Sequence, residues 1–236
     1  GATVLNQNLF GFNDLSSVTT NASAFANCSS LKNIVGLDLS STTNLSGVFA
    51  GTTNPVRFGT ENLPIKLGTT AGDLSLYTLF QSKTNLREVH LDYGERISSL
   101  QTAFQQSGIT TFRIGDNKLT NCTNMSGAFR QSKISSFGSE ANPITFGNTG
   151  TNVSLYESFR DNTSLTEFFV TDSARINSFS LTFAVTGLVK FGSSTTPVGL
   201  GSTADNSSTC TFANAFNGVS ALREAHLDYG ERISSL

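Results

Sequence analysis

Hydrophobic positions along this chain return on a long period. Phenylalanine closes a similar phrase at 25, 49, 80, 104, 129, 159, 183 and 216, read as SAF, GVF, TLF, TAF, GAF, ESF, LTF and NAF. The gaps are 24, 31, 24, 25, 30, 24 and 33 residues. Periods of this size mark a stacked repeat in which no single unit buries its own apolar face. Short units of 24–25 and long units of 30–33 residues follow an order that recurs after five, a super-repeat of about 134 residues. Phe25 then answers to Phe159, Phe49 to Phe183 and Phe80 to Phe216.

Short units share a template in which Leu86, Val89, Leu91, Tyr93, Ile97 and Leu100 lead to Phe104. The alternation at 89, 91 and 93 predicts a strand with one face buried. The Ile-xx-Leu-xxx-Phe steps of three and four predict a helical or 3₁₀-like turn on the return side. Long units carry two strand phrases, VRFG with IKLG, SSFG with ITFG and VKFG with VGLG, with Pro64, Pro143 and Pro197 just before the second. Proline belongs at a strand entrance or edge, so an extra short strand or hairpin is expected on every long unit. The fold expected is a solenoid: a leucine-rich-repeat-like stack of eight to nine coils over residues 1–236, with a parallel β-sheet along one side. Its core is the recurrent phenylalanines with Leu31, Ile34, Leu37, Leu39, Leu86, Val89 and Leu91. Both ends fall inside units, which predicts an excerpt from a longer array and, as partners, further copies or neighbouring repeats end to end.

Charged residues make up 14% of the chain, well below the usual share of about 25%. A net charge of -2 gives no reason to expect nucleic acid or an anionic membrane as partner. No apolar stretch approaches the roughly 20 residues of a membrane span. Low charge with abundant hydroxyl and amide side chains leans toward an extracellular surface. Cys28, Cys122 and Cys210 fall at different places in units three or four apart, too far for a disulfide. They are expected as small buried core residues.

The two histidines, His90 and His226, occupy equivalent places five units apart. At strand spacing that is on the order of 24 Å, which excludes a shared metal or catalytic centre. No nucleophile elbow, phosphate loop, zinc spacing or calcium loop is present, so no enzyme, metal or cofactor is expected. Residues 86–100 (LREVHLDYGERISSL) recur as 222–236 (LREAHLDYGERISSL) with 14 of 15 positions identical. Recent duplication explains this. A repeated contact face explains it as well, formed by Arg87, Glu88, His90 and Asp92 and by Arg223, Glu224, His226 and Asp228, with both histidines toward solvent and Glu95 and Arg96 expected outward beside them. Glycosylation sequons stand at Asn21, Asn27, Asn44, Asn121, Asn124, Asn152, Asn162 and Asn206.

The phrases AFANCSSLKNIVGLDLSSTTNLSGVF and NCTNMSGAF resemble the BspA-like leucine-rich repeats of bacterial, phage and protist surface proteins. Residues 25–49 carry the resemblance most closely, and elsewhere Cys28 gives way to Lys83, Gly108 or Asn162. The resemblance implies a secreted or surface-anchored protein serving adhesion or recognition, with a host protein or glycan as partner. Two expectations follow: the repeat body of a surface fibre or adhesin, and a discrete receptor-binding module that takes a protein or glycan on its sheet face.

Overall fold

The computed structural model describes residues 7–9, 17, 19, 22–52, 55–69, 72–147, 150–201, 208–228 and 230–235. Among these the chain is built of short strands, every strand pair is parallel, and the one helical element is a 3₁₀ turn at Gly230–Arg232. The arrangement is compatible with a stack of coils, because strands pair with segments one unit before or after them, as Glu88–Leu91 does with Arg57–Phe58 and with Thr111–Ile114.

Three rows of strands, where one was expected, run through the stack. The first begins as a five-stranded sheet of Gln7–Leu9, Leu31–Ile34, Arg57–Phe58, Glu88–Leu91 and Thr111–Ile114. It resumes as Ser136–Phe137, Glu167–Phe168, Lys190–Phe191 and Glu224–Ala225. The second row joins Ile65 to Leu91, Ile144–Thr145 to Val170–Thr171, and Val198–Gly199 to Leu227–Asp228. The third joins Leu74–Ser75 to Ile97–Ser99, and later Val153–Ser154, Ile176–Ser178, Cys210–Thr211 and Ile233–Ser235. The two phrases of a long unit are therefore no extra hairpin. They fill rows one and two, which the short units cross within four or five residues, as Glu88–Leu91 or as Glu167–Phe168 and Val170–Thr171, and what the long unit adds is the loop between them.

The return side is not helical. Residues two before and two after each recurrent phenylalanine have positive φ, as at Thr102 (49°) and Gln106 (57°) around Phe104 or Leu181 (54°) and Val185 (58°) around Phe183. Overlapping turns result: Ala103, Gln105 and Ser107 N–H donate to the carbonyl three residues back. The amides between them, Thr102, Phe104 and Gln106, donate to Ser126, Ala128 and Arg130 of the next unit at 2.8–3.0 Å. Side-chain steps of three and four suit both a helix and this chain of turns. The next unit's carbonyls decide for the turns, since they satisfy donors that a helix would have to bond internally.

Inside, the recurrent phenylalanines form one column. Centroid spacings run 6.0, 5.4, 5.4, 4.9, 5.4, 5.8 and 5.5 Å from Phe25 to Phe216, all with stacked planes. Phe58, Phe112, Phe137, Phe168 and Phe191 of the first row meet this column edge-on or tilted. Offset and edge contacts of this kind add about 0.5–1.5 kcal/mol per pair beyond burial. Leu31, Ile34, Leu37, Leu39, Leu86, Val89 and Leu91 are buried as expected, and all three cysteines are buried and free.

Candidate recognition face

The loops of the long units project from the outer face of the first row. Each closes on itself: Leu63 N–H donates to Thr60 O and Thr60 N–H to Leu63 O, Ser139 and Asn142 exchange the same pair, and Ser193 N–H donates to Thr196 O. Each starts at a glycine with positive φ, Gly59, Gly138 or Gly192. A Cβ there would collide with the carbonyl oxygen of His90, Phe169 or His226 in the next unit. The loops are thus pinned against the strand that follows.

Their spacing sets what they cover. One short unit separates loop 138–143 from loop 192–197, and the two meet: Glu140 Oε1 accepts from Ser193 Oγ at 2.6 Å and from Thr195 Oγ1 at 2.5 Å. Phe169, outward by alternation with Phe168 and Val170, is 1% exposed there, outside the central core. Two short units separate loop 59–64 from loop 138–143, and between these a trench remains open. Its floor is the Glu88–Leu91 and Thr111–Ile114 strands, where His90 pairs in register with Arg113.

Two adjoining hollows of about 280 Å³ and about 190 Å³ occupy the trench. The first is bounded by Thr60, Glu61, Pro64, His90 and Asp92, the second by Thr110, Thr111, Ser136, Gly138 and Ser139. Arg113, Asn117 and Asn142 line both. The second hollow lies over a seam. Elsewhere a unit's amides close the first row, as Val189 and Lys190 do on Thr166 O and Gly192 does on Phe168 O. The equivalent amides of Ser135, Ser136 and Gly138 make no such bond to Thr110 or Phe112, and no strand pairing links Thr111–Ile114 to Ser136–Phe137. The Phe112 and Phe137 rings stand 6.5 Å apart, against 5.7 and 5.5 Å in the paired part of the row.

The expected contact face is only partly a face. His90, expected toward solvent, is 7% exposed because the Gly59–Pro64 loop closes over its side of the strand. Burial lowers its pKa, opposed by Glu88 and Glu61 and assisted by Arg113. Asp92 is not free either: its Oδ1 accepts Leu67 N–H at 2.6 Å and Tyr93 N–H at 2.7 Å, tying two units. Asp228 holds Leu200 N–H in the same way, and burial pushes its carboxyl up. Glu88 pairs with Arg57 at 3.4 Å, and Glu224 with Lys190 at 3.9 Å. Arg87 and Arg223 are exposed, with Arg87 Nη1 on the Thr84, Leu86 and Gly108 carbonyls. His226 is half-buried. Arg113 was not foreseen. It is exposed and has no hydrogen bond or ion pair to the described residues.

Arg96, expected outward, is 3% exposed, and its counterparts Arg175 and Arg232 are 2% exposed. Each follows a long unit and turns inward beneath it. Arg96 donates to the carbonyls of Gly72 at 3.0 Å and Ser40 at 2.8 Å, and to Leu67 and Thr42. Arg175 donates to Thr151, Thr120, Phe146 and Cys122, and Arg232 to Ser208, Leu200 and Ile176. These guanidiniums staple successive units through backbone carbonyls one and two units back along the chain.

Of the sequons, Asn27, Asn44 and Asn121 are exposed, and Asn124 and Asn152 are half-buried. Asn124 Nδ2 donates to Gln101 Oε1, and Asn152 Nδ2 to Ser208 Oγ. Asn162 is fully buried, donating to Ser132 Oγ and Ile134 O, and is no glycosylation site in the folded chain. Asn21 and Asn206 lie outside the described residues. No group of His, Cys, Asp and Glu able to hold a metal ion, and no helix long and apolar enough to cross a membrane, occurs among the described residues. No protein-family model matches the chain, and neither a curated protein nor a solved structure matches it.

Proposed function

We propose that this chain is a solenoid of leucine-rich-repeat-like coils serving as a non-enzymatic recognition module, the binding body of an extracellular adhesin. The observation that carries the reading is the trench. Long-unit loops spaced by two short units hold open a polar hollow around Arg113, a cation without a partner among the described residues. Loops spaced by one short unit close over an apolar Phe169 instead. A stiff stacked body with one surface left polar and open suits display and binding, and the residues around the trench form no nucleophile–base pair. The resemblance of residues 25–49 to BspA-like surface repeats points the same way.

The test is binding of fluorescently labelled chain to intact epithelial cells, measured for the native sequence and for Arg113→Gln. The expected outcome is saturable binding that the variant loses. Absence of saturable binding, or equal binding by the variant, overturns the reading.

A further inference from the structure

The trench has a chemistry specific enough to name its occupant, on the premise that it is the recognition site proposed above. We infer that it takes a sugar residue bearing a single carboxylate, with the carboxylate on Arg113 and the sugar hydroxyls over the seam between Thr111–Ile114 and Ser136–Phe137.

Three features support one anionic group and no more. Arg113 is exposed and unpaired among the described residues, and its planar fork matches a carboxylate bidentately. Glu61 and Asp92 border the same hollow and repel a second negative charge. Asn117 and Asn142 line the same two hollows as Arg113 and offer amides that both donate and accept.

The seam supports a polyhydroxylated ligand. Ser136 and Gly138 N–H have no backbone acceptor there, whereas in the closed part of the row Lys190 N–H donates to Thr166 O and Gly192 N–H to Phe168 O. Backbone groups left open beside a hollow need an outside partner that both donates and accepts. A peptide strand would satisfy them by adding to the sheet, but that requires a further spacing of about 4.8 Å. The two units are held together here, Lys133 N–H donating to Ile109 O at 3.1 Å and the Phe112 and Phe137 rings stacking at 6.5 Å, so the row is not parted for an inserted strand.

The outward positions agree. Under the narrowly spaced loops the residue is apolar (Phe169), and its counterpart one super-repeat earlier is Val35, also buried. In the wide spacing the same places hold His90 and Arg113. Polarity follows loop spacing, as it should if the wide interval meets a polar ligand.

The test titrates sialyllactose, a hyaluronan tetrasaccharide, lactose and poly-L-glutamate into the whole chain, with affinities read by NMR. Native sequence and Arg113→Gln are compared, with circular dichroism confirming that this exposed substitution leaves the fold intact. At least one acidic sugar is expected to bind about tenfold or more tighter than lactose, the Arg113→Gln variant losing that advantage. Serine-to-bulky change at the seam, Ser136→Gln, should weaken the acidic sugar as well. Equal affinities for acidic sugar and lactose, or acidic-sugar binding unchanged in Arg113→Gln, overturn the inference. Poly-L-glutamate binding that depends on Arg113 while both acidic sugars fail overturns the sugar and leaves the recognition reading standing. Failure of all four probes overturns the inference alone, because the cell-binding measurement decides the recognition reading independently.

Discussion

Replacing Arg175 by methionine keeps the length and apolar stem of the side chain and removes the guanidinium. Four carbonyl oxygens, on Thr151, Thr120, Phe146 and Cys122, lose their donor at a residue only 2% exposed. Hydrogen bonds to a charged group contribute about 1.5–3 kcal/mol each, roughly 6–12 kcal/mol for four. Several kcal/mol of that is offset by the cost of burying the guanidinium. The net expected loss is about 3–5 kcal/mol, the range for breaking a buried charged network from one side. Urea unfolding followed by circular dichroism measures it, and hydrogen exchange locates it. Protection should fall first in the amides around Phe146 and Cys122, one and two units before the substitution. Arg175→Lys supplies one ammonium in place of a fork and should recover less than half of the loss. A methionine variant within about 1 kcal/mol of the native chain, below even one charged bond, would show that the guanidinium staples nothing. So would full recovery by lysine.

Three further outcomes test other parts of the structure. Phe104→Ala should cost roughly 3–5 kcal/mol, because its ring stacks on Phe80 at 5.4 Å and Phe129 at 4.9 Å and is fully buried; chemical denaturation that finds under 1 kcal/mol contradicts the column. Val185→Asn should stabilise by about 0.5–1 kcal/mol in thermal unfolding, since a β-branched residue at φ 58° is strained where asparagine is tolerated, and Val185 is 51% exposed. His90→Phe should flatten the acid limb of the stability curve. Burial holds the folded His90 pKa below 6.5, so the unfolded chain takes up the proton first as pH falls. The native chain therefore loses stability from about pH 6.5 downward until the folded imidazole also protonates. Glu88, Glu61 and Arg113 remain in place around the substituted ring, and an acid limb identical in both proteins would contradict this assignment.

The phenylalanine column was legible because one large apolar side chain at one inward point per unit leaves a spacing that nothing else in the chain mimics. The return side was not, because Ile97, Leu100 and Phe104 keep the same intervals in a helix and in overlapping turns. A signal was nonetheless present: Gly47 and Gly51 around Phe49, Gly127 before Phe129 and Gly218 after Phe216 mark the positive-φ places. Period-two alternation correctly turned Val89 and Leu91 inward, yet it misjudged His90, since alternation reports which face a residue takes and not what later covers that face. Arg96 misled because a charge in a polar phrase suggests solvent. Its retention as Arg175 in the otherwise divergent segment LTEFFVTDSARINSF was the available clue. Arg113, Asn117 and Asn142 share no motif, and a loop 25 residues farther along the chain brings Asn142 to the other two.

The near-identity of residues 86–100 and 222–236 takes a different meaning in this light. Asp92 and Asp228 tie a unit to its predecessor, and Arg96 and Arg232 staple carbonyls beneath it. Gly94 lies where a Cβ would strike Lys118 O. Most of the repeated polar positions thus have work inside the stack, which removes the need for a partner to explain them. Both segments also hold the same place in the super-repeat, the first short unit after a long one. A unit in that place must receive a pinned loop at its outward residue and an arginine beneath the added residues of its neighbour. The short unit at 165–179 also follows a long one, but it lies under two loops that meet, and there the histidine gives way to Phe169 while the arginine stays. The staple is set by the long unit that precedes, the outward residue by the spacing to the loop that follows. Two separate constraints therefore act within one fifteen-residue segment, and the surface left for recognition is the strand next to it, where Arg113 stands.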